Sequence, residues 1–145
     1  MYECILVPTD GSAASERAVR HALELADVHG ATLHALYVVD TGAMTGVTME
    51  TTWEGVSDML YREGDDALDG VRAMADEAGV ALETAVVEGS PAREIVRYAE
   101  GEDCDVVVMG THGRGGIDRL LLGSVTERVV RSATVPVVTI RAGEA

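Results

Sequence analysis

Short, continuously apolar runs alternate along the chain with longer stretches in which apolar residues recur at helical spacing. Cys4-Ile5-Leu6-Val7 is the first run, and Pro8-Thr9-Asp10-Gly11-Ser12 ends it, which predicts a buried strand followed by a turn. A helix follows, with Ser12 as N-cap, Ala14, Ala18, Ala22, Leu25 and Ala26 on one stripe, and Gly30 as its stop. Ala31 to Val39 reads as a second strand. From Asp40 to about Trp53 the period fails, and Gly42, Gly46 and five threonines predict an irregular surface loop. Helical spacing resumes from Val56 to Ala78 through Met59, Leu60, Ala67, Val71 and Met74, with Gly79 as stop, although Gly64 and Gly70 interrupt it.

Leu82 to Val87 reads as a third strand, and Gly89-Ser90-Pro91 opens a helix that runs to about Glu100, with Ser90 as N-cap and proline at the first helical position. Asp105 to Met109 is a fourth strand, apolar without interruption as in a parallel strand buried on both faces. A glycine-rich loop comes next, then a helix from Ser124 through Ser132, and Val135 to Ile140 closes the chain as a fifth strand. Strands alternating with helices predict one doubly wound, Rossmann-like α/β domain: an open parallel five-stranded sheet with helices on both faces. Pro136 lacks a ladder donor, which places the fifth strand at an edge and predicts a homodimer through Val135 to Ile140.

Composition narrows this picture. A chain of 145 residues is one domain's worth, and 47% hydrophobic with 25% charged residues excludes disorder and low complexity. No apolar run approaches the roughly 20 residues of a membrane span, and an acid at position 3 with a strand directly after it predicts a cytoplasmic protein. Charge changes the picture most: 25 acids against 11 bases leave −14, and every base is arginine. Such a field repels nucleic acid and anionic membranes, so any phosphate ligand has to be held locally. The acid excess with neither Lys nor Phe resembles proteins of salt-accumulating cytoplasms. Cys4 and Cys104 have no metal-site spacing and are expected to be buried free thiols without chemistry. His21, His29 and His34 fall where packing or solvent-facing roles are commoner, which leaves His112 as the one histidine among functional signals.

Those signals are Gly110-Thr111-His112-Gly113-Arg114-Gly115-Gly116 and, further on, Gly123-Ser124-Val125-Thr126. A glycine loop between a buried strand and a helix N-terminus lets backbone N–H groups approach an anion, with Arg114 and a bridging divalent cation offsetting the negative field. A purely structural loop competes with this, because Ser124 and Glu127 also fit a Ser-x-x-Glu capping box. Capping does not account for the four glycines between Gly110 and Gly116, and they favour phosphate. Walker A is excluded by the absence of lysine, and the dinucleotide fingerprint by Asp118 where its third glycine belongs.

The spacing Gly110-x2-Gly113-x9-Gly123-Ser124, with Pro8-Thr9-Asp10 ending the first strand and Val135-Pro136-Val137-Val138 closing the chain, resembles the ATP-binding branch of the universal stress protein family. The resemblance covers the whole chain, as a single domain over 1–145. It implies that Pro8, Thr9 and Asp10 line a nucleotide pocket, with Asp10 a polar nucleotide or metal-shell contact rather than only a turn carboxylate. It implies that Val38 bonds adenine through its backbone and that Met109 and Gly110 contact ribose and phosphate. His112, Gly113 and Arg114 would follow the phosphate loop, and Gly123, Ser124, Val125 and Thr126 would close on the phosphates. ATP or another adenine nucleotide is the implied ligand, with Mg2+ or Mn2+ held mainly by its phosphates. The implied function is that of a nucleotide-dependent stress-response module. No motif places a general base, which favours binding over catalysis; slow ATP hydrolysis and a nucleotide-independent dimeric module are the rival readings. The expected strand order is 3-2-1-4-5, and if the sheet has it, the Pro8 and Gly110 turns fall at the switch point, where open α/β sheets bind ligands.

Overall fold

The structure, a computed structural model, describes residues 1–41, 53–111 and 123–141. In chain order these form β1 (Cys4–Pro8), α1 (Ala13–His29), β2 (Thr32–Asp40), α2 (Trp53–Ala78), β3 (Leu82–Gly89), α3 (Pro91–Gly101), β4 (Val106–Gly110), α4 (Ser124–Ser132) and β5 (Val137–Ile140). All strand pairings are parallel, and the sheet order is β3-β2-β1-β4-β5. This is the expected order.

Strand alternation sorts the core into two layers. Ile5, Val7, Leu33, Ala35, Val106 and Val108 face α1 and α2, where Ala18, Ala22, Leu68 and Val71 meet them. Leu6, Leu36, Val107 and Met109 face α3 and α4, against Ala92, Ile95, Ala99 and Val129. Burying each large side chain contributes about 1.5–3 kcal/mol, so the two apolar stripes hold the helices on opposite faces. Among the described residues no helix is long and apolar enough to cross a membrane.

Local signals explain most element ends. Ser12 caps α1 by accepting from the Ser15 N–H at 3.2 Å, and Gly30 closes it in the left-handed conformation at φ 67°. Helix α2 begins three residues before Val56, inside the segment read as a loop. Its interrupting Gly64 has a packing cause: a Cβ there would lie 2.7 Å from the Tyr37 ring. Gly70 has no such neighbour and simply lowers helix propensity.

Two expectations are corrected. Ser124 does not cap α4; Gly123 is the N-cap, and it has no side chain to make a capping bond. Glu127 instead pairs with Arg131 at 2.7 Å along the helix. Strand β5 starts at Val137 rather than Val135, and the carbonyl of Pro136 faces inward to accept from Val107 N–H at 3.0 Å. The edge position of β5 is as predicted, but its outer rim belongs to Val137 and Thr139, not to the proline.

Candidate functional site

The sheet opens between β1 and β4 at the carboxyl ends of its strands. Strand β1 pairs with β2 from Cys4 to Pro8 but with β4 only at Ile5↔Val106 and Leu6↔Val107. The cause lies in β1 itself. Thr9 N–H donates to Leu36 O at 2.9 Å, so alternation turns the neighbouring Pro8 nitrogen toward β4. Proline has no N–H to offer there, and the β1–β4 ladder stops.

A second gap adjoins the first. The β1–β2 register ends at Pro8↔Leu36, while β2 continues to Asp40. Even-numbered β2 residues direct their backbone groups toward β1, as Thr32 and Leu36 do toward Glu3 and Thr9. Val38 is next in that series, and the Val38–Asp10 step that would continue the ladder is not formed. Its N–H and C=O therefore face the crevice, a donor and acceptor side by side in a half-buried position.

The turn after β1 is held by its own side chains. Buried Thr9 hydrogen-bonds Ser15 Oγ at 3.1 Å and accepts from Gly11 N–H at 3.2 Å. Asp10 Oδ1 accepts from Ser12 N–H at 2.9 Å, the turn role available to it on sequence grounds.

Across the crevice, β4 ends against α1. A Cβ on Gly110 would lie 2.9 Å from the Ala14 carbonyl oxygen, so this glycine lets strand and helix start meet. The Gly110 carbonyl accepts from Thr126 Oγ1 at 2.8 Å, and Gly123 N–H donates to Thr111 O. These bonds pin the first turn of α4 beside the crevice. Gly123 as N-cap has no side chain to bond the leading N–H groups of that helix, whose positive dipole end favours an anion, with exposed Ser124 as its first residue.

The structure thus gathers Pro8, Thr9, Asp10, the Val38 backbone, Gly110, Gly123, Ser124 and Thr126 around one opening. Val125 packs half-buried on the α3/α4 layer. Met109 is placed differently: its side chain is in the core at 5% exposure, and it pairs with Thr139 of β5. His112, Gly113 and Arg114, and nearly all of the Asp40–Trp53 segment, lie outside the described residues.

Sequence reading missed Ala14 and Ser15, which only packing against Gly110 and Thr9 makes relevant. It also set aside Cys4 and Cys104, which meet at 2.8 Å at the other end of the sheet. Burial there pushes the Cys104 thiol up and the Tyr98 hydroxyl up to about 12, with Glu102 adding to the latter. A signal was present, because each cysteine stands at the start of one of two strands that become neighbours.

Fold and crevice define a doubly wound α/β domain that opens at the switch point of its sheet, the place where sheets of this kind bind ligands. The chain belongs to the universal stress protein family, whose model matches residues 1–141. It is 45% identical to universal stress protein MJ0531 of Methanocaldococcus jannaschii over 97% of this chain and 83% of that one. The solved structure of MJ0577, a universal stress protein of the same organism, superposes with a TM-score of 0.89 at 30% identity, covering 100% of this chain and 99% of that one. A universal stress protein crystallised in complex with cAMP superposes at 0.76 with 27% identity, over 98% of this chain and 99% of that one.

Proposed function

We propose that the protein binds an adenine nucleotide, ATP with Mg2+ or Mn2+, in the crevice between β1 and β4, and that this binding governs a stress-response role. The observation that carries the reading is the backbone of Val38. A neighbouring N–H and C=O without ladder partners match the acceptor and donor on the adenine edge. The uncapped start of α4 lies across the opening and suits the phosphates, in a chain whose net charge of −14 supplies no general attraction for them. The cAMP complex of a related universal stress protein supports the same ligand class.

Asp10 and Ser124 provide carboxylate and hydroxyl groups at the rim, the buried Thr9 and Thr126 hydroxyls hold the turn and the start of α4 in place, and Gly113 and Arg114 belong to the phosphate loop. A divalent cation bound by the phosphates would neutralise part of the ligand's charge. Two chains pair through the outer rim of β5 into a homodimer, since Val137, Val138 and Ile140 are only partly covered at that edge.

Isothermal titration in molar KCl with Mg2+ tests this, comparing ATP, AMP and cAMP on the wild type and on Gly113→Val. Saturable 1:1 binding of at least one nucleotide, abolished in the variant, supports the reading. No heat at millimolar nucleotide with a folded wild type contradicts it.

A further inference from the structure

At the end of the sheet opposite the crevice, the starts of β1, β2 and β4 bring together Cys4, His34 and Cys104. The two Sγ atoms are 2.8 Å apart, and both lie within 4.8 Å of a ring nitrogen of His34. Cys104 and His34 are buried at 3% and 6% exposure, and Cys4 is half-buried. All three belong to the α3/α4 layer, with Cys4 in phase with Leu6 and His34 in phase with Leu36.

The backbone fixes this arrangement without a ligand. Asp105 Oδ2 accepts from the Glu3 and Cys4 N–H groups at 2.7 and 3.0 Å, and Asp105 N–H donates to Cys4 O at 2.9 Å. Cys104 N–H donates to Ala99 O at 2.8 Å, after Asp103 turns the chain out of α3 at φ 52°. The histidine is oriented as well. Glu83 Oε2 lies 3.2 Å from Nε2, and an ionised carboxylate only accepts, so Nε2 carries the proton. In the neutral ring this leaves the lone pair on Nδ1, which lies 2.9 Å from the Tyr98 hydroxyl. A carboxylate behind a histidine in this way is the outer-shell pattern of metal-bound imidazoles.

We propose that Cys4, Cys104 and His34 form a site for a thiophilic d10 cation of the zinc class. Two sulfurs and one imidazole suit such an ion, whereas Mg2+ and Ca2+ select oxygen ligands. Binding displaces the Tyr98 hydroxyl from His34 Nδ1, forms two metal–sulfur bonds and one metal–nitrogen bond, releases the two thiol protons and transfers no electrons. Metal–sulfur bonds of about 2.3 Å at tetrahedral angles set the sulfurs about 3.8 Å apart, so they separate by about 1 Å on binding. Glu83, which orients the ring from its Nε2 side, is itself 66% exposed. The site is remote from the crevice, and the proposal does not rest on the nucleotide reading.

The test is a Cd2+ titration of the reduced full chain, with a phosphine reductant present and with excess Mg2+ and molar KCl to occupy the acidic surface. The expected result is a thiolate-to-metal charge-transfer band that saturates at one Cd2+ per chain and is displaced by Zn2+. Cys4→Ser should abolish the band, and His34→Gln should weaken affinity by at least about tenfold. No band at one equivalent overturns the proposal, and so does affinity unchanged in a folded His34→Gln protein. Should the His34 variant fail to fold, cadmium-113 NMR of the wild type decides, because a shift for two sulfurs and one nitrogen supports the site and an all-oxygen shift overturns it.

Discussion

Thr126 donates its hydroxyl proton to the Gly110 carbonyl at 2.8 Å, and both residues are at the rim of the crevice. The bond crosses the undescribed glycine loop and fixes the first turn of α4 to the end of β4. Thr126→Val keeps the shape but leaves that carbonyl without its partner, so it should destabilise the protein by about 1–2 kcal/mol and weaken nucleotide binding. Thr126→Ser should restore most of both. Urea unfolding and nucleotide titration of the two variants check this.

Gly110→Ala should be costlier than an ordinary surface change. Its Cβ would meet the Ala14 carbonyl oxygen at 2.9 Å, and backbone cannot move aside as a side chain does. A loss of about 1–3 kcal/mol is expected from urea unfolding. Gly70→Ala, with open space around it, should instead stabilise α2 by up to about 1 kcal/mol.

The Asp105 carboxyl is held below its usual range by the Glu3 and Cys4 backbone N–H groups. A folded pKa below the unfolded one gives stability that is present above about pH 4 and is lost as pH falls through the folded value. Asp105→Asn should therefore lose about 1 kcal/mol at pH 7, a value kept small by solvent around this partly exposed group. The difference between wild type and variant should shrink toward pH 2 in urea unfolding.

Salt should stabilise this protein. Helix α2 ends in Asp76 and Glu77 with no base in its last turn, which sets like charges against the negative end of its dipole. Exposed Asp65 and Asp66 add to the repulsion, within a chain of net charge −14. Raising KCl from about 0.1 to 1 M shortens the Debye length from about 10 to 3 Å, and the melting temperature should rise by several degrees. A melting temperature that is flat or falls with salt would contradict the resemblance to proteins of salt-rich cytoplasms.

Local chemistry made much of the fold legible. Ser12 and Gly30 bound α1, Pro91 starts α3, and continuous apolar runs mark strands buried on both faces. What stayed hidden depends on contacts distant in sequence. Gly64 looked like a break in a helix because its partner, the Tyr37 ring, is on another element. Ser124 fitted a capping box, yet Glu127 N–H donates to the carbonyl of the extended Gly123, which places the cap one residue earlier. At the candidate site the motif named the loops but not the opening, which arises from the missing N–H of Pro8 and the end of β1 opposite Leu36. The Cys4–Cys104 contact likewise depends on strand order, since 100 residues separate the two in sequence.

The most direct test of the nucleotide site is an amide-resolved NMR titration of the 15N-labelled protein with ATP and Mg2+ in molar KCl. The largest shifts should fall on Val38, on the Thr9–Ser12 turn and on the first turn of α4 from Ser124 to Thr126, while amides at the start of β1 stay still. Binding that shifts the β5 rim or the α3 surface instead, or no shift at millimolar ATP, would contradict a nucleotide held between β1 and β4.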